Sequence, residues 1–127
     1  MKKILLAIIS LFLLVSCGAS ESLDVINPDA DYVYFYWKTC PHCLKVKKYF
    51  DDNDIMNKYS IEKREVWNNK ENKAYLDKIV WQLWLSAEQE WVPFLYNKSD
   101  KSYIIWDSDI IKLFDSNVPL INKEQKN

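Results

Sequence analysis

The chain has 127 residues, 17 Lys and Arg against 18 Asp and Glu, and 49% hydrophobic side chains. That length fits one domain with a single core. The near-balanced charge, with no basic block or patterned Lys/Arg stripe to neutralise phosphates, excludes nucleic acid as a partner.

Met1-Lys2-Lys3 opens the chain with positive charge, and an apolar run of 12 positions, Ile4 to Val15, follows, broken only by Ser10. A membrane span needs about 20 such residues, whereas the h-region of a signal peptide needs fewer. The run ends in Leu14-Val15-Ser16-Cys17, which resembles the lipobox of bacterial lipoproteins. The resemblance implies that Cys17 is acylated and becomes the mature N-terminus, so the protein is expected on the extracytoplasmic face of a bacterial membrane. An ordinary secretory signal with a chance cysteine is the alternative. Acylating Cys17 also leaves an even pair, Cys40 and Cys43, out of three cysteines. Removal of residues 1–16 leaves 15 of the 17 basic side chains against all 18 acids, a net charge of −3. The expected organisation is a signal peptide at 1–16, a lipidated N-terminus and tether at 17–30, and a domain at 31–127.

Tyr32 to Tyr36 is aromatic and β-branched, as a buried strand requires, and Leu44 to Phe50 carries apolar residues at helical spacing. Cys40-Pro41-His42-Cys43 lies where that strand gives way to that helix. The unpaired amides and positive dipole end of a helix favour an anion, which makes Cys40 the expected nucleophile. Pro41 suits the first turn, where its missing N–H is not needed. Cys43, one turn on, shares the helix face and can close a disulfide with Cys40 or resolve a mixed disulfide. The plainer readings are an inert disulfide, half a zinc site, or two thiolates holding copper(I). Zinc is the weakest of these, because the chain has no second cysteine pair and no histidine but His42.

Asp51 to Asp54 breaks the helix, and Tyr59 to Trp67 reads as a second strand with Tyr59, Ile61 and Val66 inward and Glu62 to Glu65 largely solvated. Lys70 to Leu85 reads as a helix with Ala74, Leu76, Ile79, Val80, Leu83 and Trp84 on its apolar face. Trp81, Trp84 and Trp91 are read as packing residues rather than a binding site. Trp91 to Tyr96 and Ser102 to Trp106 form a hairpin around the polar turn Asn97 to Lys101. Asp107 or Ser108 caps a last helix, Asp109 to Asp115, with Ile110, Ile111, Leu113 and Phe114 inward, and a tail follows from Asn117 in which Val118 to Ile121 can still pack.

The order β-α-β-α-β-β-α with the cysteine pair at the first strand-to-helix junction resembles the minimal thioredoxin fold, an α/β architecture with a central mixed sheet flanked by helices. A second anchor is Val92-Pro93, which matches the cis-proline loop of that family; by itself the dipeptide is also compatible with an ordinary proline before an edge strand. The resemblance implies a thiol-disulfide oxidoreductase needing no cofactor, with Cys40 as nucleophile, Cys43 resolving, and Val92 and Pro93 offering backbone to an extended substrate. The Pro-His dipeptide is similar to that of the periplasmic disulfide oxidases, which implies that His42 tunes the potential toward oxidation. Two departures stand out. There is no room for the helical domain that those oxidases insert, and Tyr34 occupies the strand position, six residues before the first cysteine, where they and thioredoxins place an acid. Lys38, water or a carboxylate such as Glu62 could deprotonate Cys43 instead. The expected partners are exported proteins with cysteines, a membrane redox protein and the membrane itself through the lipid. Reduction or isomerisation, service in peptide export, and copper(I) binding are the rival functions.

Overall fold

The computed structural model describes residues 24–86 and 91–116. The signal peptide, Cys17 and the segment Val118 to Ile121 lie outside the described residues. The frame is a four-stranded mixed sheet in the order β2-β1-β3-β4, with β1 spanning Tyr32–Tyr36, β2 Ile61–Glu65, β3 Phe94–Asn97 and β4 Tyr103–Ile105. β1 runs parallel to β2 and antiparallel to β3, and β3 pairs antiparallel with β4. The helices are α1, Pro41–Asp52; α2, Ile55–Lys58; α3, Lys70–Gln82; and α4, Asp107–Ser116. The α/β class and the element order are those expected, with the short α2 added. It starts after Asp54, whose φ of 55° is a left-handed value that aspartate tolerates.

The period-2 alternation of β1 divides the core into two layers. Tyr34 and Tyr36 face α1 and α4, joining Val46, Phe50, Ile110 and Phe114, while Val33 and Phe35 face α3, joining Leu76, Ile79 and Val80. Each of these fully buried apolar side chains stabilises the fold by roughly 1.5 to 3 kcal/mol. Within α1 the buried positions are Cys43, Val46 and Phe50, three and four residues apart. Cys43 is therefore part of the stripe that docks the helix.

Asn69 caps α3 by accepting from the amides of Glu71 and Asn72, both at 3.0 Å. The far end departs from expectation: the helix stops at Gln82, Ala74 is exposed, and Trp84 is 89% exposed rather than inward. Trp84 has a φ of 55°, and the amides of Trp84 and Leu85 bond back to the carbonyls of Trp81 and Val80 at 3.1 and 3.0 Å. This is a Schellman ending with tryptophan where glycine is usual, and it swings Leu85 back onto the core in place of Trp84.

β2 departs further. Glu62 and Glu65 are buried, not solvated. Glu62 pairs with Arg64 and, at 3.5 Å, with Lys98, and Arg64 reaches Asn72 Oδ1 at 3.0 Å and lies 4.9 Å over the Tyr75 ring. Glu65 accepts from the amides of Trp67 and Asn68 at 3.1 and 2.8 Å. Residues 24–30 run along this edge: Val25 bridges Lys63, Asp24 accepts from the Glu65 amide at 2.7 Å and from Asn72 Nδ2 at 2.8 Å, and Ala30 is buried. The hairpin strands are shorter than expected because Trp91 to Pro93 form the loop entering β3, where proline has no N–H for a ladder.

Candidate active site at the start of the first helix

β1 ends at Tyr36, and the turn through Trp37, Lys38 and Thr39 is closed by the Cys40 amide bonding the Trp37 carbonyl at 3.2 Å. Cys40 is then the N-cap of α1, with extended φ and ψ of −69° and 122°, and its carbonyl accepts the first helical bond from Leu44 at 3.0 Å. Its side chain makes no capping bond, and Pro41 follows it in the first turn. The thiol is thus held at the positive end of the helix without being consumed by it.

Both cysteines are free thiols. Cys40 is 8% exposed and Cys43 3%, so both are buried and the first sulfur is less exposed than expected of a nucleophile at a helix start. Its cover includes the loop before β3: Cys40 Sγ donates to the Val92 carbonyl at 3.7 Å, and the Val92-Pro93 peptide is cis. Cys43 Sγ accepts from the Trp37 amide at 3.5 Å. Burial, opposed by that amide and reinforced by the neighbouring Cys40, pushes the Cys43 thiol up to about 12. At neutral pH it is a protonated thiol that must lose its proton to react.

A cleft reaches Cys43 from the surface, lined by Tyr34, Tyr36, Lys38, Lys47 and Lys63 among others and by no carboxylate. Glu62 cannot be the base for Cys43. Its β2 position pairs with Val33, which puts it on the α3 face of the sheet, where Arg64 and Lys98 hold it. Lys63 lies opposite Tyr34 on the cysteine face, 5.2 Å over the Tyr36 ring. Burial first, and then Lys47, lower its pKa, against the pull of Asp51 and Asp24. Sequence reasoning missed Lys63; its position is legible only once the parallel register with β1 is known. Tyr34 is 1% exposed and its hydroxyl makes no hydrogen bond of ordinary geometry, Cys43 being the side chain that interacts with it. Burial, followed by Cys43 and Cys40, pushes its pKa well above the ordinary value.

His42 does not turn to the sulfurs. Its Nδ1 sits 3.0 Å from Asp107 Oδ1 on α4, and its ring meets Trp106 edge-on at 5.8 Å. Lys45 reaches the same carboxylate at 3.3 Å. Partial burial of Asp107 works in the opposite direction, but the hydrogen bonds from His42 and Lys45 hold it below the usual carboxylate range. Asp107 was expected only as a helix cap, and nothing in the local sequence pairs it with a residue 65 positions earlier. Trp91 and Trp106 are exposed, with ring centroids 6.2 Å apart. Among the described residues no group of three or more Cys, His, Asp and Glu side chains is arranged to hold a metal.

Three of the solved structures similar in fold are glutaredoxins. They are a dithiolic glutaredoxin of Trypanosoma brucei brucei (22% identity, TM-score 0.49, covering 69% of this chain and 80% of that one), the buckwheat glutaredoxin–glutathione complex (17%, 0.48, 69% and 71%) and a glutaredoxin of Archaeoglobus fulgidus (14%, 0.48, 68% and 88%). No curated protein matches the chain. The family model described as glutaredoxin matches residues 32–98, from the start of β1 to just past β3 and across both cysteines and the Val92-Pro93 loop. With more than half its length matched, the chain belongs to the glutaredoxin family of thiol oxidoreductases.

Proposed function

We propose that the protein is a lipid-anchored thiol-disulfide oxidoreductase on the extracytoplasmic face of a bacterial membrane. Cys40 is its nucleophile, Cys43 the resolving thiol, and cysteines of exported proteins its substrates. The observation that carries the reading is the pair itself: two thiols one helical turn apart at a helix start, the first beside the Val92 carbonyl at 3.7 Å. A substrate strand pairing with the backbone at Val92 and Pro93 would bring its sulfur to Cys40 whatever its side chains. The anchor rests on the sequence around Cys17. A protein purified from membranes with an acyl mass on Cys17 supports it, and a soluble wild type without that mass refutes it.

Oxidation is the favoured direction, from the Pro-His dipeptide between the cysteines. Reduction or isomerisation fed by a membrane partner is the second reading, and one observation favours it: His42 is engaged by Asp107 rather than by a sulfur. Equilibration against glutathione redox buffers decides between them. A potential near that of the strong oxidant DsbA, about −120 mV, supports oxidation, and one in the glutaredoxin range of roughly −200 to −230 mV supports reduction. Stoichiometric copper(I) retained by anaerobically purified protein, with no turnover of dithiols, would overturn both.

A further inference from the structure

Among the described residues, the Tyr34 hydroxyl is the buried side-chain oxygen left without a hydrogen bond of ordinary geometry. Packing does not call for it. The Tyr34 ring stacks on Tyr36 at 5.7 Å and tilts against Phe50 at 5.4 Å, contacts that a phenylalanine would keep. β1 register sends the side chain to the cysteine face, where it lines the same cleft as Cys43 and Lys63. The hydroxyl therefore sits, unsatisfied, beside the sulfur that has no carboxylate to serve it.

The resolving half-reaction explains what such a donor would do. A mixed disulfide Cys40–S–S–R and the Cys43 thiol become the Cys40–Cys43 disulfide and R–SH. The Cys43 S–H bond breaks and its proton goes to water in the cleft. The Cys43 sulfur bonds Cys40 Sγ, and the electron pair of the old S–S bond leaves on R, which takes a proton from water. In the reverse direction Cys43 leaves as the thiolate. Either way negative charge passes through a buried sulfur to which the Trp37 amide donates at 3.5 Å.

We propose that Tyr34 is a positioning residue for this step: its hydroxyl donates to the Cys43 sulfur as that sulfur becomes charged, in the place where an acid would otherwise stand. The proposal rests on the dithiol reading above and deepens it. The charged and titratable groups around Cys43 agree with a stabilised anion. Tyr36 lines its cleft from β1, Lys38 from the turn, Lys47 from α1 and Lys63 from β2, with Cys40 beside it at the N-cap; Asp24 and Asp51 act on Lys63. The proton leaves through a cleft whose lining cations are lysines.

The test uses the reduced full chain mixed with 5,5′-dithiobis(2-nitrobenzoate). Attack by Cys40 releases one thionitrobenzoate, and resolution by Cys43 releases a second. In Tyr34→Phe the second release slows by roughly ten- to a hundredfold while the first is unchanged, as expected for loss of a hydrogen bond to a charged group. The potential of the pair at neutral pH stays level, because reduced Cys43 is a protonated thiol that the hydroxyl does not stabilise. Thermal stability stays level or rises, because the deleted hydroxyl made no ordinary hydrogen bond. Site-specific 3-fluorotyrosine at position 34, with a more acidic hydroxyl and the same shape, moves the pH profile of the second release to lower pH. A Tyr34→Phe protein whose second release equals that of the wild type, with a 3-fluorotyrosine protein whose pH profile does not move, overturns the proposal alone. A wild type that releases only one thionitrobenzoate overturns the dithiol reading and this proposal with it.

Discussion

The two faces of the sheet treat buried polar groups in opposite ways. On the α3 face Glu62 is 1% exposed, yet Arg64 and Lys98 compensate it and Asn72 ties Arg64 to the helix. On the α1 face the Tyr34 hydroxyl is equally buried and makes no ordinary hydrogen bond, and burial makes the Cys43 thiolate costly. A closed network resists change, since any altered member leaves another unpaired. An open one is poised to meet a charge that appears only during reaction. The comparison teaches which buried polar residues belong to the scaffold and which to the chemistry.

The sharpest break between the faces comes from the thiols. Cys40→Ser should abolish exchange and Cys43→Ser should accumulate mixed disulfides through Cys40, both with little change in Tm; trapping by Cys40→Ser and not by Cys43→Ser would reverse the two roles. Next in size is the scaffold face. Arg64→Leu leaves Glu62 with Lys98 alone, so it should cost about 3 kcal/mol and lower Tm by more than about 10 °C. The exchange rate per folded molecule should not change. An unaltered Tm would mean that the Glu62 pairing is not structural.

A smaller effect separates the faces by pH. Cys43 keeps its thiol form in the fold up to about 12, against 9.0 for a free cysteine, so the unfolded chain loses that proton first as pH rises. The stabilisation is complete below pH 9 and shrinks between 9 and 12, by roughly 2 kcal/mol at about pH 10.5. Denaturant titrations of the reduced wild type should therefore lose this amount relative to Cys43→Ala, and parallel pH curves would refute it. The smallest effect is at the rim. The folded pKa of Asp107 lies below its unfolded value, so its contribution is present at neutral pH and is lost on acidification through the folded pKa. Because His42 and Lys45 are substantially exposed, Asp107→Asn should cost under about 1 kcal/mol at pH 7 and nothing in strong acid. A larger loss would mean that the α1–α4 contact depends on this pair.

How much of this was legible in the chain varies element by element. β1, α1 and the cysteine pair read correctly because their signals are local: aromatic and β-branched residues, then apolar positions three and four apart, with Pro41 at the helix start. Glu62 and Glu65 read wrongly because a run of charges looks solvated until its partners at positions 24, 64, 72 and 98 are brought around it. Trp84 read wrongly because the helix ending carries no glycine to announce it.

The sequence by itself determined the α/β order, the thiol pair and the helix face that carries both sulfurs, since each follows from spacing along a single element. Only the tertiary structure decided that Val92 lies beside Cys40, that Asp107 holds His42, that Glu62 is on the wrong face to serve Cys43, and that Tyr34 and Lys63 are on the right one. Those depend on the β1–β2 register and on contacts between residues tens of positions apart, and a one-residue slip in that register would exchange the two faces.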